Sequence, residues 1–121
     1  MAKIMVVDDE QSLLELVRGI LEAENFEVIT VSSGEECLAK LKTVKPDLIL
    51  LDMMMPGMSG REVCEKIRAT PETKDLKVAF VTVAKFSAAG MGALKEMNVL
   101  DYITKPFDND DLVKRVKKMI G

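Results

Sequence analysis

The sequence predicts an α/β domain built on a doubly wound five-stranded parallel sheet with five flanking helices. Two observations carry this. Short apolar runs at 3–7, 26–31, 47–51, 77–83 and 100–104 alternate with stretches whose apolar residues recur at helical spacing, and strict β/α alternation implies right-handed crossovers that cover both sheet faces. The central run, Leu48-Ile49-Leu50-Leu51, is apolar on both faces, as a strand enclosed by two helix layers must be, and it stops at one carboxylate, Asp52.

Each element has its own local reason. Residues 3–7 (Lys-Ile-Met-Val-Val) form a strand that ends in Asp8-Asp9-Glu10. From Ser12, the residues Leu13, Leu14, Val17, Ile20 and Leu21 make the stripe of an amphipathic helix. The run from Phe26 to Val31 is rich in β-branched residues and reads as the second strand. Ser33-Gly34-Glu35-Glu36 then has the N-cap serine and N3 glutamate of a capping box, with Cys37, Leu38 and Leu41 as the buried face and Lys45-Pro46 as the stop. After the central strand, Pro56-Gly57 supplies turn chemistry. Ser59-Gly60-Arg61-Glu62 repeats the capping box ahead of Val63, Cys64 and Ile67, and the polar stretch 70–75 is a surface loop. The fourth strand leads to a helix over 87–97 carrying Met91, Leu94 and Met97, weakened by Gly90 and Gly92 at about 0.5–1 kcal/mol each relative to alanine. Lys105-Pro106-Phe107 turns the chain after the last strand, and Asp108 caps a final helix with Leu112, Val113, Val116 and Ile120 inward.

With 121 residues, 48% of them hydrophobic, and no linker, repeat or low-complexity segment, the chain suits one compact domain over 1–121. Lys+Arg 17 against Asp+Glu 20 gives a net charge of −3, which offers no general attraction to nucleic acid or an anionic membrane. There is neither a long apolar run nor a signal-peptide pattern, so the expectation is a cytoplasmic protein with no membrane insertion. Two cysteines without histidine make neither a disulfide framework nor a plausible zinc site, and Cys37 and Cys64 read as small core residues. The lack of histidine also removes Ser-His and Cys-His nucleophile chemistry.

A parallel sheet of this kind brings its strand tips to one edge, which collects Asp8 and Asp9, Asp52, Thr82 and Lys105. Taken singly, Asp8 and Asp9 are helix-terminus carboxylates, Asp52 a turn residue, Thr82 a β-former and Lys105 a solvated charge. Taken jointly, converging carboxylates repel unless a cation holds them, and magnesium accepts oxygen ligands while keeping waters for an incoming phosphate. A carboxylate can also attack phosphorus to give an aspartyl phosphate, with the ammonium of Lys105 and the hydroxyl of Thr82 answering the phosphoryl charge. Lys114, Arg115, Lys117 and Lys118 read as the solvated face of the last helix, and Met53, Met54 and Met55 as packing around the site.

This constellation resembles the receiver domain of two-component response regulators, on Asp8-Asp9, Asp52 with Met55-Pro56-Gly57 and Ser59-Gly60, Thr82, Tyr102 and Lys105-Pro106-Phe107. The resemblance implies a flavodoxin-like fold with strand order 2-1-3-4-5. It implies that Asp52 is the phosphoacceptor and that Asp9, assisted by Asp8, binds Mg2+ together with Asp52 and the Met54 backbone carbonyl. It further implies that Thr82 and Tyr102 are the switch pair and that Lys105 precedes a cis Pro106. Two features depart from the family pattern: Val83 follows the threonine where a small residue is usual, and Thr82 to Lys105 is one residue longer than in many relatives.

The function implied is a phosphoacceptor signalling protein rather than an enzyme. Its donor is a partner histidine kinase, and its output is phosphorylation-dependent protein binding through the face made by the 87–97 helix, the last strand and the last helix. Because the chain runs from the first strand to the last helix, it reads as a stand-alone, monomeric regulator of the chemotaxis type, with a phosphorelay intermediate as the alternative. Met54 and Ala84 hold the positions that could orient a hydrolytic water, which points to slow self-dephosphorylation and a separate phosphatase. A magnesium-dependent phosphatase with an aspartyl nucleophile would want an acid where Met54 stands. A flavin site would want a phosphate loop where Asp8-Asp9-Glu10 would repel the phosphate.

Overall fold

The computed structural model describes residues 1–83, 92 and 95–121. Five parallel strands, β1 (Lys3–Val7), β2 (Glu27–Val31), β3 (Leu48–Leu51), β4 (Val78–Thr82) and β5 (Val99–Thr104), form one sheet in the order β2-β1-β3-β4-β5. Among the described residues stand four helices: α1 (Gln11–Glu22), α2 (Gly34–Lys40), α3 (Gly60–Ala69) and α4 (Asn109–Ile120). Four helices are therefore seen where five are expected. The additional one, over 87–97, falls mainly on residues 84–91, 93 and 94, which lie outside the described residues.

The strands sort their side chains by parity, as the pleat requires. Met5, Val7, Ile49, Leu51 and Phe80 face α2 and α3, where they meet Cys37, Val63, Cys64 and Ile67. Ile4, Val6, Leu48, Leu50, Ala79 and Val81 face α1 and α4, where Leu14, Val17, Leu21, Leu112 and Val116 close the other core. All of β3 is buried, so the apolar run ending in Asp52 is the middle layer of the molecule. Burial also pushes the Cys37 thiol up to about 12, which leaves it neutral and makes it a small hydrophobe. No described helix is long and apolar enough to cross a membrane.

Local chemistry sets the helix ends, in two places differently from expectation. α3 has the full capping box: Glu62 N donates to Ser59 Oγ and Ser59 N to Glu62 Oε1, both at 3.2 Å. At α2 the box is half displaced. Ser33 Oγ accepts from Glu36 N at 3.1 Å, but the Glu36 carboxylate reaches one residue further back and accepts from Ser32 N at 2.6 Å. α2 also stops at Lys40 rather than at Lys45-Pro46. Its last turn tightens as Lys42 N donates to Ala39 O and Thr43 N to Lys40 O, so the helix has unwound before the proline could break it.

Candidate functional site

β1 and β3 are adjacent and in register from Ile4↔Leu48 to Val7↔Leu51, so the next residue of each strand, Asp8 and Asp52, emerges side by side. Their backbones are tied into the sheet: Asp8 N donates to Val31 O at 3.2 Å and Asp52 N to Val7 O at 3.0 Å. Both side chains are buried, whereas Asp9 is exposed at the mouth. The three residues can each bring a carboxylate oxygen within 4.8 Å of the others. From β5, Lys105 reaches across the edge and its Nζ donates to Asp8 Oδ2 at 2.7 Å and to Asp52 Oδ2 at 3.4 Å, with Glu10 Oε1 at 3.9 Å.

The Lys105 side chain is only 11% exposed. Burial works against its charge, but the hydrogen bond and charge of Asp8 and the charge of Asp52 outweigh that cost and hold its pKa above the ordinary lysine value. Among the described residues, three carboxylates are thus answered by one ammonium. A donor set made only of oxygens, with negative charge in excess, fits a hard divalent cation such as magnesium and not a soft metal.

The turn beyond β3 shapes the pocket. Asp52 Oδ1 accepts from Met54 N at 3.1 Å, which fixes the carboxylate and places the Met54 peptide beside it. Met53 and Met55 are buried while Met54 is 61% exposed, so the three methionines divide between packing and rim. Gly57 takes a φ of 76°, the left-handed conformation that turns the chain back toward α3. At the first residue of α3, Gly60 N donates to Met53 O at 3.0 Å, and a Cβ there would run into the Asp52 carbonyl. Only glycine lets the helix start this close to the acid.

Thr82 is fully buried at the tip of β4, level with Thr104, and its carbonyl accepts from Lys105 N at 2.9 Å. Tyr102 lies level with Phe80 on β5, half buried against the core, and burial raises its pKa. The structure therefore gathers Asp8, Asp9, Asp52 and Lys105 into one cluster, puts Thr82 on the same sheet edge, and sets Tyr102 on the neighbouring strand. The Lys105-Pro106 peptide is cis, and Val83 is 60% exposed at the rim. Ala84 lies outside the described residues. Sequence reasoning did not assign Glu10 to the cluster, nor the tight approach of Gly60 to Asp52; a glycine at the first position of a capped helix was the available signal.

Comparison with known proteins gives a consistent result. Residues 4–117 match the response regulator receiver domain. The phosphate regulon transcriptional regulatory protein PhoB of Rhizobium meliloti is 42% identical over 98% of this chain and 52% of its own length. The alkaline phosphatase synthesis transcriptional regulatory protein PhoP of Bacillus subtilis is 41% identical over 98% of this chain and 48% of its own. The chain spans about half the length of these curated relatives. Among solved structures, the Vibrio cholerae chemotaxis protein CheY4 superposes with a TM-score of 0.90 at 29% identity, covering 98% of both chains. A CheY-like receiver domain protein from Methanospirillum hungatei superposes at 0.87 with 35% identity, covering 99% of this chain and 94% of the other.

Proposed function

This chain belongs to the response regulator receiver domain family, and we propose that it takes a phosphoryl group onto Asp52 from a phosphohistidine of a partner kinase. The observation that carries the reading is the buried cluster in which Lys105 Nζ stands 2.7 Å from Asp8 and 3.4 Å from Asp52. One Asp52 carboxylate oxygen forms the bond to phosphorus as the P–N bond breaks and its electron pair passes to the imidazole. Lys105 and the Thr82 hydroxyl meet the phosphoryl oxygens, while burial of Asp52 keeps bulk water off the acyl phosphate. Asp8, Asp9, Asp52 and the Met54 carbonyl would hold the magnesium ion. That ion supplies charge neutralisation at the phosphoryl group.

The output we propose is phosphorylation-dependent protein binding by a cytoplasmic monomer, with Thr82 and Tyr102 as the switch pair and β5 with α4 and the 87–97 segment as the binding face. The chemotaxis setting draws support from the CheY4 likeness, which extends over 98% of both chains. A second reading, the receiver part of a transcriptional regulator, draws support from the 42% identity to PhoB. Mass spectrometry after incubation with magnesium and acetyl phosphate tests the common core of both. A single adduct of about 80 Da, one phosphoryl group, is expected in the parent and not in Asp52→Asn. An unmodified parent, or an adduct retained in the variant, would overturn the assignment.

A further inference from the structure

On the side of the sheet covered by α2 and α3, at the edge away from Asp52, an open trough runs between the C-terminal ends of the two helices. α3 begins against Asp52 and runs for ten residues, so its far end lies roughly 15 Å away. The main cavity is about 630 Å³ and is lined by Leu38, Leu41, Ala69 and Thr73 among others. A second cavity of about 190 Å³ shares Leu41, Lys42, Glu72 and Thr73 with it and extends toward Val44 and Leu76. The two cavities adjoin, and the main one is lined mostly by apolar surface.

Its rim is basic in a chain of net charge −3. Lys42 and Lys66 flank the main cavity and Lys45 the extension, against one carboxylate, Glu72. None of the three lysines enters an ion pair among the described residues. The Thr73 hydroxyl is spent inward, donating to Ile67 O at 2.8 Å.

We propose that this trough docks a short amphipathic segment of a partner protein, with apolar anchors seated over Leu38 and Leu41 and carboxylates paired to Lys42, Lys45 and Lys66. An apolar lining beside three lysines suits an amphipathic segment, and charge complementarity selects an acidic one. Because the trough lies at the opposite edge from the acceptor, docking is independent of phosphorylation. It would tether a partner before and after signalling.

The test is fluorescence anisotropy with a labelled peptide carrying leucines at i, i+3, i+4 and i+7 spacing among glutamates, alongside the same peptide with lysines for glutamates. The acidic peptide should bind the full chain, equally well in Asp52→Asn. Binding should weaken about tenfold or more in Lys42→Glu/Lys66→Glu and less in Lys42→Gln/Lys66→Gln. Amide chemical shifts should move at Leu38, Lys42 and Ala69. Equal binding of the basic peptide, no binding, insensitivity to both double variants, or shifts confined to β5 and α4 would overturn the proposal. So would a concentration-dependent dimer that buries the trough, which would give it to a second copy of this chain.

Discussion

At the residue scale, Gly60 and Met54 carry the sharpest expectations. Gly60→Ala puts a methyl group into the Asp52 carbonyl, so either α3 or the loop after Asp52 must move. The expected cost is about 1–3 kcal/mol, read as a lower melting temperature, together with slower phosphorylation by acetyl phosphate. A variant with parental stability and parental phosphorylation would show that the approach relaxes freely. Met54 stands two residues after Asp52 with its side chain in solvent, and its thioether is too weak an acceptor to hold a water beside that carboxylate. Met54→Asn supplies an amide at that place, and decay of the phosphorylated form, followed by loss of radiolabel, should quicken by up to on the order of a hundredfold. Unchanged decay would place control of the lifetime elsewhere.

At the element scale, Arg68 does more than the basic last-turn residue it looks like in the sequence. Its guanidinium donates to four carbonyls: Lys74 O at 2.9 Å, Leu76 O at 2.7 Å, Met97 O at 2.7 Å and Asn98 O at 3.3 Å. One side chain thus fastens the end of α3 to the entries of β4 and β5. Arg68→Met keeps the aliphatic stem and removes every donor, and should cost roughly 2–4 kcal/mol in urea unfolding while leaving magnesium affinity near the parental value. A loss below about 0.5 kcal/mol would mean that water replaces the clamp without penalty. No sequence pattern could announce this role, because backbone carbonyls look the same whatever residue bears them. The end of α2 was hidden for a related reason: Pro46 marks the last place a helix can stop, whereas the actual stop follows from the tightened turn at Thr43. Strands and capped helix starts were legible because apolar periodicity and Ser-x-x-Glu spacing are properties of the sequence itself. The acid cluster was legible at one remove, since Asp8 and Asp52 become neighbours only through the β1–β3 register.

At the scale of the whole molecule, the site is a standing electrostatic cost that ligand binding can relieve. Asp8 and Asp52 are buried together, Asp9 lies at their mouth, and among the described residues Lys105 supplies the one ammonium paired with them. A cation that binds the folded chain and not the unfolded one raises stability with its concentration, by about 2.7 kcal/mol at a hundredfold excess over its dissociation constant. For a domain near this size each kcal/mol shifts the melting temperature by roughly 3–6 °C. Magnesium chloride should therefore raise the melting temperature of the parent progressively, at constant ionic strength so that general screening does not contribute. Asp9→Ala removes the exposed carboxylate: without magnesium its melting temperature should equal or exceed the parent's, because one repulsion is gone, and with magnesium the rise should be largely lost along with phosphorylation. Sodium at matched ionic strength should not substitute. If Asp9→Ala kept the full magnesium-dependent rise, the metal would be binding elsewhere on the surface, and the carboxylate cluster would be a charged helix entrance held by its pairing with Lys105.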